Sequence, residues 1–123
     1  DSYNSNPDAL ERTLVAASQI ESGRRWAILG EMLELGPTAA SYHLVAGREA
    51  ARLGFSPVVG VGELARDLVA GAQKGGVEAV WLPDAASAAE FAVDEIAEGD
   101  LVLVKGSRSV GLEAVVRTLR DGI

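Results

Sequence analysis

Four short apolar runs punctuate the chain: Trp26-Ala27-Ile28-Leu29, Pro57-Val58-Val59-Gly60-Val61, Ala79-Val80-Trp81-Leu82 and Leu101-Val102-Leu103-Val104. None alternates polar with apolar positions, so each predicts a strand covered on both faces, as in parallel sheets. After each run the pattern becomes helical. Leu64, Ala65, Leu68, Val69 and Ala72 are expected on one helical face, and Leu112, Val115, Val116 and Leu119 on another. Gly36 and Pro37 punctuate the start of a helix containing Tyr42, Val45, Ala46, Ala50 and Leu53. The spacing suits βαβ crossovers and predicts an α/β fold, with helices covering a mostly parallel sheet.

The chain opens on a helix with no strand before it. Asn6 or Ser5 can cap that helix, Pro7 suits its first turn and Asp8 favours its positive end. Leu10, Leu14 and Ala17 mark its buried stripe, and Gly23 is expected to end it. An α/β unit that begins on a helix, with neither an initiator Met nor a signal-peptide pattern, reads as one domain, residues 1–123, excised from a longer chain.

Composition removes several function classes. With 48% hydrophobic and 24% charged residues, the chain is not of the disordered class. It has no cysteine, which excludes disulfides and thiolate metal sites and suits a reducing, cytoplasmic setting. No apolar run approaches the ~20 residues of a membrane span. The net charge of −7 argues against non-specific binding to nucleic acid or anionic membrane. Much of that charge is local: Asp84, Glu90, Asp94, Glu95, Glu98 and Asp100 follow one another with no base between them. Glu90, Asp94 and Glu98 are expected on one solvated helical face rather than around a metal, with Phe91, Ala92 and Ile96 turned inward.

In parallel α/β sheets, ligands bind beyond the carboxyl ends of strands. The loop after the second run, Gly60-Val61-Gly62-Glu63-Leu64-Ala65, matches G-x-G-x-x-A, but Glu63 puts negative charge where a phosphate would sit. The last loop, Lys105-Gly106-Ser107-Arg108-Ser109-Val110-Gly111, places two cations, hydroxyls and glycines before a helix N-terminus. That combination favours a carboxylate or phosphate; the alternative is a capped loop with solvated cations. The first long loop, Gly30-Glu31-Met32-Leu33-Glu34-Leu35-Gly36-Pro37, carries two carboxylates and three exposed-looking apolar residues. Glu31 could bind Mg²⁺ or a ligand ammonium, or cap backbone donors. His43 is the only histidine, and a core or surface role is favoured over a catalytic base. At the start, Asp1, Tyr3 and Asn4 are not accounted for by helix capping and could meet a ribose and base, or form an ordinary polar end.

Taken together, these loops resemble the C-terminal domain of the Mur ligase family, in the branch that adds D-alanyl-D-alanine. The family's D-S-Y-N-A-N-P-D is similar to Asp1 through Asp8, with Ser5 for Ala. Its G-D-M-L-E-L-G is similar to Gly30 through Gly36, with Glu31 for Asp, and its V-K-G-S-R-S-M to Val104 through Val110, with Val for Met. His43 and Gly47 match a His-x-x-x-Gly. The resemblance covers nearly the whole chain, in order, and implies a Rossmann-like three-layer domain. It also implies an ATP-dependent amide ligase in peptidoglycan synthesis that joins D-alanyl-D-alanine to UDP-N-acetylmuramoyl-tripeptide through an acyl phosphate. By that resemblance, Asp1, Tyr3, Asn4 and Asn6 face the nucleotide, while Lys105, Ser107, Arg108 and Glu31 bind substrate. ATP and Mg²⁺ are held mainly by a central domain whose phosphate loop has no counterpart here, so the fragment alone is expected to be inactive. The alternatives are a free-standing nucleotide-binding module and a receiver-like signalling module; the latter needs an aspartate at a central strand end, where Gly30 and Gly62 stand.

Overall fold

Trp26, Ala27, Ile28 and Leu29 have no solvent exposure at all, and their strand, β1 (Arg25–Gly30), lies inside the sheet. The structure, a computed structural model, describes residues 6–106 and 111–122. Along the described chain α1 (Pro7–Ser18) precedes β1, followed by α2 (Ala39–Arg52), β2 (Val58–Val61), α3 (Arg66–Lys74) and β3 (Ala79–Leu82). Next come α4 (Ala85–Glu95), β4 (Leu101–Lys105) and α5 (Glu113–Gly122). The sheet order is β3-β2-β1-β4 and every pairing is parallel.

Parity along β1 divides the core. Ala27 and Leu29 join Leu10, Leu14, Ala50 and Leu68 from α1, α2 and α3 on one face. Trp26 and Ile28 join Ala88, Ala92 and Val115 from α4 and α5 on the other. Strands sandwiched in this way need apolar residues at every position, which is why the run is continuous rather than alternating. The edge strands β3 and β4 are mostly half-buried, so the expectation of full cover holds for β1 and β2 alone.

Several local expectations are corrected. Leu64 lies in the 3₁₀ turn Glu63–Ala65 before α3, where the tighter winding moves it off the stripe, and it is 37% exposed. Val116 is also exposed, leaving Leu112, Val115 and Leu119 to face the sheet. Helix α1 ends at Ser18 rather than near Gly23, whose N–H donates to Gly99 O. Helix α4 stops at Glu95 because Ile96 turns extended and packs on the second core cluster, so Glu98 lies beyond the helix. Glu90 and Asp94 are exposed on it, and among the described residues no group of three His, Cys, Asp or Glu could hold a metal.

Helices α2 and α3 meet through glycine backbones. A Cβ on Gly47 would lie 1.8 Å from Leu68 O, and one on Gly71 would lie 2.1 Å from Leu44 O. The two helices are therefore closer than any side chain at these positions permits.

Asp100 does not belong to the solvated acidic face. Its side chain is 4% exposed, and Oδ2 accepts from the Trp26 indole at 2.9 Å, Arg24 at 3.0 Å and the Ala97 amide at 3.0 Å. Burial pushes this carboxyl up, but the Ala97, Trp26 and Arg24 donors together hold it below its ordinary value. A carboxyl lowered in the folded state contributes stability above its unfolded value of about 3.9, lost as pH falls through the folded value. Asp100→Asn should cost roughly 1–3 kcal/mol at pH 7. It should also flatten the acid limb of stability; urea titrations at pH 7 and pH 3 measure both, and equal acid losses in the two proteins would remove Asp100 from that limb.

Candidate functional site

The strand order sets the location. From β1 the chain winds outward through β2 to β3, and α4 then carries it back across the opposite face to β4, on the other side of β1. The helices that follow β1 and β4, α2 and α5, pack on opposite faces, so the carboxyl ends of these two strands form the switch point at which α/β sheets are expected to place a ligand crevice. Leu29 pairs with Lys105 there, and a Cβ on Gly106 would lie 3.1 Å from Gly30 Cα. The first long loop and the last loop, far apart in sequence, thus begin side by side.

Lys105 is 4% exposed, so it is not the solvated cation that one reading allowed. Ser107 and Arg108 lie outside the described residues, as do Asp1, Tyr3 and Asn4. Asn6 is described. It is exposed, and its Oδ1 accepts from the Ala9 N–H at 2.9 Å, capping α1.

Glu31 takes the second of the roles open to it. Its N–H donates to Val61 O at 3.0 Å and its Oε2 accepts from the Leu64 N–H at 2.8 Å. The carboxylate reaches this amide across Gly62, whose φ is +101° and whose absent Cβ would lie 2.8 Å from Glu31 Cδ. The amide end that a G-x-G-x-x-A loop would offer to a pyrophosphate is thereby given to the chain's own carboxylate. Outside this contact, Glu63 pairs with Arg66 at 3.0 Å, the Arg66 guanidinium lies 3.6 Å from the Trp81 ring centroid, and the Trp81 indole donates to Gly62 O at 2.7 Å.

The remainder of the first loop differs from expectation at Met32, which is fully buried, while Leu33 is exposed and Leu35 packs partly on the core. Met32 is held by a residue that the sequence did not tie to this site. Its N–H donates to His43 Nε2 at 2.8 Å, and His43 Nδ1 donates to Ala39 O at 2.7 Å. The imidazole is completely buried with both nitrogens partnered, a core histidine rather than a free base. The one sequence signal was spacing: His43 and Gly47 lie one turn apart on α2.

Comparison with known proteins extends this geometry. A family model described as "Mur ligase, glutamate ligase domain" matches residues 1–108. The UDP-N-acetylmuramoyl-tripeptide–D-alanyl-D-alanine ligase of Mycobacterium leprae is 39% identical over 137 residues, covering 97% of this chain and 26% of the relative. That of Treponema pallidum is 34% identical, covering 98% and 27%. The chain therefore spans about a quarter of the length of these relatives. Among solved structures, MurF from Acinetobacter baumannii superposes with a TM-score of 0.85 at 26% identity, over 98% of this chain and 27% of that one. MurF from Thermotoga maritima in complex with ADP, at 23% identity and a TM-score of 0.80, shares the fold. The α/β Rossmann-like architecture and the matched residues lead to one conclusion: this chain belongs to the Mur ligase family, as its C-terminal domain.

Proposed function

We propose that the chain is the C-terminal part of an ATP-dependent amide ligase that joins D-alanyl-D-alanine to UDP-N-acetylmuramoyl-tripeptide in cytoplasmic peptidoglycan synthesis. The observation that carries this reading is the meeting of Leu29–Gly30 with Lys105–Gly106 at the carboxyl ends of β1 and β4, within a domain whose relatives bear that activity in their names. In this reading Lys105, set at the end of β4, supplies positive charge to the anionic groups that gather there. Arg108 offers a bidentate fork to the dipeptide carboxylate, and Ser107 a hydroxyl. Glu31 would meet substrate through whatever acceptor capacity the Leu64 bond leaves it. Asp1, Tyr3 and Asn4 would face the nucleotide, and Asn6, by capping α1, fixes where that segment joins the domain.

ATP, as co-substrate, supplies the phosphoryl group that activates the tripeptide carboxylate. The sequence contains no G-x-x-x-x-G-K-[ST], and among the described residues none converge as metal ligands. By the family resemblance, the N-terminal and central domains of the longer protein would hold the nucleotide phosphates and Mg²⁺. This domain's share is orientation, charge and exclusion of water. A free-standing nucleotide module would need the Gly60–Ala65 segment, where the Glu31 carboxylate already takes the Leu64 amide.

Phosphate release from ATP, measured with tripeptide and dipeptide present, tests the reading. The longer protein should release one phosphate per dipeptide joined, and the 123-residue chain none. Turnover by the short chain would refute its role as a positioning domain, and absence of joining by the longer protein would refute the assigned reaction.

A further inference from the structure

The family reading leaves His43 without a task, although among the described residues it is a fully buried titratable side chain bonded to the first long loop. Both hydrogen bonds of the ring go to backbone, and backbone groups fix the tautomer. Ala39 O can only accept, so Nδ1 carries the proton; the Met32 N–H can only donate, so Nε2 is the bare nitrogen and the ring is neutral. Met32 directly follows Glu31, and Glu31 is itself held at Val61 O and at the Leu64 amide. Two residues beyond Met32, Glu34 adopts φ +64°, a left-handed conformation that a non-glycine residue takes only when its surroundings impose it. The loop is thus pinned at one end by Glu31, in the middle by His43, and bent between that anchor and the 3₁₀ turn Gly36–Thr38. Its first residues abut Gly106 of the other crevice loop.

We propose that His43 is the positioning residue of this strand end: as the neutral Nδ1–H tautomer, it accepts the Met32 amide and thereby fixes the course of the loop that leaves Gly30, the residue lying against Gly106 at the end of β4. The role rests on the ligase reading for its effect on turnover, but not for its effect on the loop. One turn further along α2, Gly47 presses the helix onto α3, so the histidine is mounted on a backbone that is itself fixed. A loop held through a helix of this kind keeps its geometry without contributing an atom to the reaction.

Two measurements separate the loop from the chemistry. In the 123-residue chain, long-range ¹H–¹⁵N correlation should show protonated Nδ1 and bare Nε2 at pH 7.5. An Nε2–H tautomer or an imidazolium would overturn the proposal. His43→Leu keeps the volume and removes the acceptor. Exchange of the Met32 amide should then accelerate by about a hundredfold while Ile28 and Val59 change little. His43→Gln, which can present an oxygen near the position of Nε2, should restore most of the protection. Uniform acceleration through the sheet, or none at Met32, would show a merely structural histidine. In the longer protein, His43→Leu should lower kcat/KM for the dipeptide by about a hundredfold, and His43→Gln should recover most of it. Unchanged kinetics in the leucine variant, or equal losses in both variants, would overturn the positioning role. If the leucine variant does not fold, the wild-type tautomer and the glutamine variant still decide the matter. Absence of turnover in the wild-type longer protein would fault the ligase reading alone, since the loop measurements do not depend on it.

Discussion

Gly47→Ala is expected to destabilise the domain by about 3 kcal/mol or more, lowering Tm by roughly 10 °C or beyond. The sign is what makes the result informative. At an ordinary helix interior, alanine is better than glycine by about 1 kcal/mol. At Gly47 the new methyl carbon would lie 1.8 Å from the carbonyl oxygen of Leu68 and 2.8 Å from the amide nitrogen of Ala72, both backbone atoms of the neighbouring helix. No rotamer relieves a clash between a Cβ and main chain, so α2 and α3 must separate. That opens the layer formed by Ala46, Ala50, Leu68 and Ala72. Gly71→Ala should behave alike, because its methyl would approach Leu44 O at 2.1 Å. Ser41→Ala, on the exposed side of α2, should stay within about 0.5 kcal/mol of the parent. Urea unfolding of the four proteins provides the comparison, and a Gly47→Ala variant as stable as the Ser41 control would show that the helices are not in this contact.

The largest functional effect is expected at Lys105. In the longer protein, Lys105→Met should lower kcat/KM by about 10²–10³-fold, the scale of losing one preorganised charge from a site where negative charge develops. Methionine keeps most of the buried stem, so packing at a position 4% exposed is largely preserved and the loss is of charge. Arg108→Ala should raise the KM for the dipeptide most, because a carboxylate loses its two-pronged partner. Melting of the 123-residue Lys105→Met variant distinguishes the causes. A drop of a few degrees with a hundredfold loss of turnover assigns the charge to the site, whereas wild-type turnover in both variants would remove Lys105 and Arg108 from it.

The architecture was legible because its strongest determinants are local. β1 sits between two helical layers, and that environment writes itself as an unbroken apolar run; Asn6, Pro7 and Asp8 announce α1 because capping is settled within one turn. The errors fall where local periodicity meets a change of winding or a chain reversal: Leu64 in a 3₁₀ turn, and Glu98 beyond the extended Ile96. Residue types marked the two loops separately and only the family resemblance joined them into one site, since the return through α4 that brings them together is a property of strand order. Glu31 illustrates the same limit. Its residue type allowed both a ligand contact and a cap, and only the approach of Leu64, 33 positions away, supplies the observed partner. Met32 looked exposed because it stands in a polar loop, but its side chain packs into the first core cluster while its amide meets a histidine eleven residues later.

The carboxylate of Glu31 at the Leu64 amide also bears on inhibitor chemistry. A compound built around a phosphate mimic and aimed at the glycine pair of the β2 loop would have to expel an internal anion and break a 2.8 Å hydrogen bond before making its own contacts. Fragment libraries screened against this domain should therefore sort by charge at the β2 strand end, with acids disfavoured there and neutral or cationic scaffolds tolerated.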